Sequence, residues 1–324
     1  MTEEGSRRPV ELQPWGVHVP FTLVAAVYFV SGGLSLRFGA FDHDYLMMAG
    51  AYALYEGMFL RLFFPATKYI WSHVATLATI AIPLPQSQAV SATFLTYVMY
   101  RGLKDVRSYG SRFPVNALVL ASPVLAVLFW TGYVFTGYYQ LLFPPLVSYV
   151  LGINVGIFAA TLRTKPFFGW RQAPLLALAP FTFVPQVFGL LDLVYSGVML
   201  VRAGTLRSTS SFVVASFLIS GLFSLLDFDF VHAFAIGFML VSFVNCIVYS
   251  TSRYNFDGAF HLVSVLSLLA SNVAWPFLRE ASFALTAMGL VAFALAIRHN
   301  LTFQAIKYGI SQVYLRQQLG GEQS

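Results

Sequence analysis

The sequence predicts an all-α, polytopic transmembrane helix bundle of 11–12 membrane segments, and three observations predict it. The chain of 324 residues is 58% hydrophobic and only 10% charged, whereas a soluble domain carries about 25% charged residues. Apolar runs long enough to cross a bilayer recur from the N-terminal region to residue 297. No stretch between them reads as a linker to a soluble domain, so residues 1–298 form a single transmembrane helical domain and 299–324 an interfacial C-terminal tail.

The spans fall near 17–36, 45–64, 69–84, 88–103, 114–136, 138–162, 174–201, 211–227, 230–250, 257–278 and 281–297. The first follows a mixed-charge stretch (Glu3, Glu4, Arg7, Arg8, Glu11) with no small-residue cleavage site, so it reads as a retained helix. The second opens after Asp42-His43-Asp44 and carries Glu56 and Arg61 inside it. The sixth holds Gly152-x-x-x-Gly156, a spacing that reads first as a helix contact. Segment 174–201 is broken at Pro180 and Pro185 and contains Asp192, and it reads best as a hairpin or re-entrant pair. With that parity nearly all Lys and Arg fall on one face, which makes both termini cytoplasmic in a plasma membrane. The tail, with Phe303, Ile306, Ile310, Val313 and Leu319 set among polar residues, fits an amphipathic helix at the membrane surface.

The formal charge of +6 fits cytoplasmic loops facing lipid headgroups, and no basic soluble module is present to bind nucleic acid. The one cysteine, Cys246, leaves no disulfide and no site for covalent haem. Any haem would be held by histidine or methionine.

The histidines form two layers under this topology. His43 and His232 open their helices on the outer side, while His18, His73 and His261 lie towards the cytoplasm. Two histidines at one depth on separate helices are what a b-type haem needs. Asp42, Asp44, Asp227 and Asp229 could orient those rings, or could bind copper or another divalent ion with them. The plainer reading is that these residues cap helix ends. The inner histidines sit beside Trp15, Trp71 and Phe260, where amphipathic rings gather at an interface, and a second centre would require their helices to be neighbours.

Ionisable groups deep in hydrocarbon are candidates for function. A proton or cation path through Glu56 and Asp192 is one reading, and an internal Glu56–Arg61 ion pair is its plain alternative. The pairs Pro85-Gln86 and Pro185-Gln186 are similar to the Pro-Gln pair of transporters with three-helix repeats. The many aromatic rings would line a haem or quinone pocket, or simply pack.

The run His232-Ala-Phe-Ala-Ile-Gly237-Phe-Met, with His43 and Gly50 seven residues apart, resembles the histidine-led helices of NnrS-type membrane proteins. That family is similar in outline to haem-copper oxidase catalytic subunits. The resemblance implies haem b, with copper or another metal, at His43 and His232. It further implies electron transfer or nitric oxide and oxygen handling in a respiratory chain, with a quinol or redox protein as partner. Tyr45 stands where the family carries a second histidine, and Ser250-Thr-Ser-Arg253 replaces its Gly-His-Thr-Gly-Arg loop. Three functions therefore stand open: a haem protein, an ion- or proton-coupled transporter or channel, and a structural membrane anchor subunit.

Overall fold

The computed structural model describes residues 14–39, 42–105, 113–164, 176–251 and 255–309. Among these there are twelve helices and no strand. Five helices are long and apolar enough to cross a membrane. The chain divides into two compact units, one of residues 1–107 with 299–324 and one of residues 108–298.

The first unit contains α1 (His18–Phe38), α2 (His43–Phe63), α3 (Ile70–Ile80), α4 (Pro85–Asp105) and the short C-terminal α12 (Phe303–Tyr308). Asp42 starts α2 by accepting the backbone N–H groups of Asp44 and Tyr45 on Oδ1, the role of an N-cap. From Tyr45 to Arg61 most side chains of α2 are buried. Its charged residues lower the mean hydropathy of an otherwise interior helix. Gly16 N–H donates to the Ile306 carbonyl at 2.8 Å, which ties the chain's beginning to α12. The remainder of the expected amphipathic tail lies outside the described residues.

α3 departs from the expected span at 69–84, because its 11 residues cover only about 16 Å, roughly half of a bilayer core. Pro83, which has no N–H, follows the helix end, and Pro85 begins α4. A helix that ends early must find donors for its last carbonyls. Here side chains supply them. Tyr28 and Gln88 donate to the Ile80 carbonyl at 2.8 and 3.1 Å, Gln88 also reaches the Ile82 carbonyl at 3.0 Å, and Ser87 reaches that of Thr79 at 2.7 Å.

The second unit contains α5 (Val115–Thr136), α6 (Phe143–Thr161), α7 (Pro185–Val201), α8 (Thr209–Leu225), α9 (Phe230–Ser250), α10 (Gly258–Ala274) and α11 (Arg279–Ala296). In place of a hairpin, residues 180–201 form a 3₁₀ turn, Pro180–Phe183, and then the single helix α7. Val184 is extended, as a residue before proline prefers, so Pro185 initiates a helix rather than interrupting one.

α6 and α9 are the interior helices, each with about four-fifths of its apolar window buried (83% and 78%). Phe143 stacks on Phe234 and Phe217 packs on Phe238, both with ring centroids 4.4 Å apart, so these aromatic rings act as packing. Residues Ala233–Leu240 of α9 are π-helical. Ser220 and Ser216 of α8 donate to the Ala233 and Gly237 carbonyls, both at 2.8 Å. A Cβ at Gly237 would lie 2.0 Å from Asn272 Nδ2 and 2.1 Å from Ser220 Oγ, so only glycine lets this belt of side chains reach the π turn.

Candidate functional site: two buried carboxyl groups

Glu56 lies about three and a half turns past His43 on α2 and is fully buried. Its Oε2 is 2.6 Å from Ser91 Oγ on α4, and its Oε1 has no hydrogen-bond partner. Ser91 Oγ is also 3.0 Å from the Thr76 carbonyl on α3. One hydroxyl thus joins three helices at the level of a buried carboxyl. Among the described residues no cation lies within ion-pair distance of Glu56, so the plain Glu56–Arg61 alternative is not formed. Arg61 instead stands near His18.

A serine hydroxyl carries one hydrogen. Ser91 can therefore donate either to Thr76 or to Glu56, but not to both. Both contacts are made together when Glu56 carries a proton and donates it to Ser91 Oγ, leaving the Ser91 hydrogen for the Thr76 carbonyl. Tyr28 and Tyr52 lie near enough to share the carboxyl's field.

Asp192 is the counterpart in the second unit. The buried residues of α7, Phe188, Gly189, Asp192, Ser196 and Met199, form one stripe. Phe188 on that stripe packs on Phe234 and Phe238 of α9, with centroids 5.5 and 5.3 Å apart. Gly189 lets α7 approach α8 closely, since a Cβ there would sit 2.6 Å from the Gly221 carbonyl oxygen. Ser196, one turn on, donates to Asp192 Oδ1 at 3.2 Å, while Oδ2 has no partner. The Tyr195 hydroxyl beside it is likewise unpartnered. The two carboxyls belong to different units, each with partners drawn from its own unit.

His43 and His232 are locally engaged. His43 Nδ1 is 2.8 Å from the Gly32 carbonyl. His232 Nδ1 is 3.1 Å from both carboxylate oxygens of Asp229, and its ring stacks on Trp275 at 3.8 Å. Asp229 also accepts the Trp275 indole N–H at 3.0 Å. Partial burial pushes its carboxyl up, but the hydrogen bonds from His232 and Trp275 and the charge of His232 outweigh this and hold it below the usual carboxylate range. Asp227 and Asp229 both have left-handed backbones, φ 59° and 40°. The Phe228 N–H bonds the Phe223 carbonyl, the six-to-one bond of a Schellman motif with Asp227 in the place usual for glycine. Asp44 and Asp227 are exposed, and among the described residues no three His, Cys, Asp or Glu side chains converge to hold a metal.

The inner histidines are buried. His73 accepts the Trp15 indole N–H on Nδ1 at 3.0 Å. His18 lies beside the Asn300 backbone and Arg61, while His261, with no hydrogen-bond partner among the described residues, packs edge-on to Tyr249 and Phe256. His18 and His73 lie in the first unit and His261 in the second.

Sequence reasoning singled out Glu56 and Asp192 but missed Ser91 and Ser196. Ser196 follows Asp192 by four residues, a spacing that puts both on one helix face. Ser91 carries no local signal, because only tertiary packing brings it to Glu56. Comparison of the chain with protein-family models, curated sequences and solved structures found no match.

Proposed function

We propose that this membrane protein is a proton-coupled transporter in which Glu56 carries the coupling proton. The observation behind this reading is the one-hydrogen hydroxyl of Ser91 between Glu56 and Thr76. With the proton on Glu56, α4 is bonded to both α2 and α3. When the proton leaves, Ser91 turns to the carboxylate and the Thr76 carbonyl loses that donor, so proton loss removes the middle link between α3 and α4 while Ser87 and Gln88 still hold the end of α3. An ionised carboxylate alone in an apolar interior costs several kcal/mol, which favours movement to a state where water reaches it. The early end of α3 supports the reading, since interrupted helices commonly build ion sites in transporters.

The test uses purified protein in vesicles loaded with a pH-sensitive dye and challenged with amino acids, carboxylates, sugars and monovalent cations. A solute that moves protons with the wild type and not with Glu56→Gln supports the reading. Proton movement undiminished in Glu56→Gln, or absent from the wild type under every gradient, rejects it.

A second reading keeps the resemblance to haem- and copper-containing proteins, with His232 as a haem ligand. Its support is the bond from His232 Nδ1 to Asp229, which fixes the ring and leaves Nε2 as the ligating atom, the usual arrangement behind a metal-bound histidine. Bound haem would supply one-electron chemistry. A b-type absorbance spectrum lost in His232→Ala supports this reading, and protein expressed with ample haem yet without pigment rejects it.

A further inference from the structure

The sequence suggested one path through Glu56 and Asp192. The structure puts them in separate units, each with its own serine and each with one carboxyl oxygen unpartnered. We infer that Asp192 is a second proton-binding site, independent of Glu56, so that each unit holds one exchangeable proton. This extends the proton-coupled reading to the second unit and rests on it.

The surroundings of Asp192 argue for a proton rather than a metal or organic cation. The carboxyl is fully buried, with Ser196 as its one hydrogen-bonding neighbour among the described residues. Among the described residues no cation pairs with it, and no further His, Cys, Asp or Glu joins it to form a metal cluster. α8 and the Pro180–Phe183 turn, both packed on α7, carry no ionisable side chain. On α7 itself the ionisable neighbour is Tyr195. α9, which packs on the same stripe through Phe188, offers His232, engaged with Asp229, Cys246, 3.5 Å from Ser250 Oγ, and Tyr249, packed on Phe256 and His261. None supplies the positive charge that would hold an anion in this interior. A proton needs no cavity and neutralises the group in place.

Glu56 is set differently. α1 offers Tyr28 and His18, α3 offers His73, and α2 itself brings Tyr52, Tyr55 and Arg61. Among the described residues the groups named around Asp192 and those named around Glu56 do not overlap, so removing one carboxyl should leave the other's serine in place.

The experiment treats full-length protein in vesicles with dicyclohexylcarbodiimide, an apolar reagent that captures protonated carboxyl groups as stable adducts, and reads the sites by peptide mass spectrometry. In the wild type, adducts are expected on Glu56 and Asp192, at least about tenfold above those on exposed Asp44, because the apolar reagent enters the buried interior and an unpaired carboxylate is costly there. Glu56→Gln should leave the Asp192 adduct unchanged, and Asp192→Asn should leave that on Glu56 unchanged. Labelling of Glu56 but not Asp192 in the wild type overturns this inference and leaves the Glu56 reading standing. Labelling of neither overturns both. Loss of the Asp192 adduct in Glu56→Gln, with the variant still eluting and melting as the wild type does, overturns independence. The wild-type comparison requires no variant to fold.

Discussion

Ser91 Oγ lies 2.6 Å from Glu56 Oε2 and is the one hydrogen-bonding neighbour of that buried carboxyl among the described residues. Ser91→Ala should therefore strand the carboxyl, at a cost of about 1–3 kcal/mol in stability, while the Thr76 carbonyl keeps the Thr79 hydroxyl at 3.0 Å. Ser91→Thr keeps a hydroxyl and should retain most proton movement in dye-loaded vesicles. Equal activity of the Ala and Thr variants would show that the hydroxyl has no part in it.

Gly237→Ala tests the π-helical turn. The added methyl would meet Asn272 Nδ2 and Ser220 Oγ at 2.0 and 2.1 Å, so side chains must yield in a packed interior, at about 1–3 kcal/mol. Thermal unfolding in detergent should show the loss. Adding Asn272→Ala removes one obstacle, and the double variant should be less destabilised than the sum of the two single ones. Strict additivity would mean that the clash is relieved elsewhere.

How much of this was legible beforehand depends on the kind of signal. Apolar runs mark helices directly, so all the long helices fall within or beside the runs read from the sequence. Punctuation was harder to read. Pro185 begins a helix where it suggested a hairpin, because proline at the first helical position and proline as a breaker look the same in a sequence. α3 stops at Ile80 since Gln88, Tyr28 and Ser87, all outside the helix, satisfy its end. Glu56 and Asp192 stood out as costly residues, but whether each had a cation beside it is a tertiary fact. The link from Asn154 Oδ1 to Asn245 Nδ2 at 2.8 Å joins residues 91 positions apart, and only packing brings those amides together.

That amide link gives a third prediction. Asn245 also meets Ser210 at 3.4 Å, and Asn154 donates to the Ser242 carbonyl at 3.2 Å, so the pair ties α6 to α9 and α8. A cycle of Asn154→Leu, Asn245→Leu and the double variant should give a coupling of about 0.6–1.7 kcal/mol, the range for polar pairs between membrane helices. A coupling indistinguishable from zero would make the amides bystanders.

Asp227→Gly should stabilise the turn between α8 and α9. The residue has φ 59°, its side chain is exposed, and glycine takes this backbone without the steric cost. Strain relief of about 1–2 kcal/mol, offset by the greater freedom of glycine when unfolded, predicts a net gain of up to about 1 kcal/mol in thermal unfolding. A loss of stability, or of bound haem or metal, would assign Asp227 a ligand role.

The Asp229–Trp275 contact makes the N-terminal end of α9 acid-sensitive. Hydrogen bonds from His232 and Trp275 hold the Asp229 carboxyl below its ordinary value of 3.8 against the opposing effect of partial burial, so the folded state favours the ionised form. The stabilisation is fully present above that ordinary value and is lost as pH falls through the lowered folded-state value. As Asp229 gains a proton, its hold on the indole N–H, 3.0 Å away, weakens. Trp275 is one of 5 tryptophans, so a variant with the other tryptophans changed to phenylalanine isolates its emission. A shift in that emission should appear as pH falls below the ordinary carboxylate range. Asp229→Asn should abolish that acid transition, since no proton remains to be gained, and its emission should already differ from the parent at neutral pH. An acid transition of the same size in Asp229→Asn would trace the change to another group and remove Asp229 from the account.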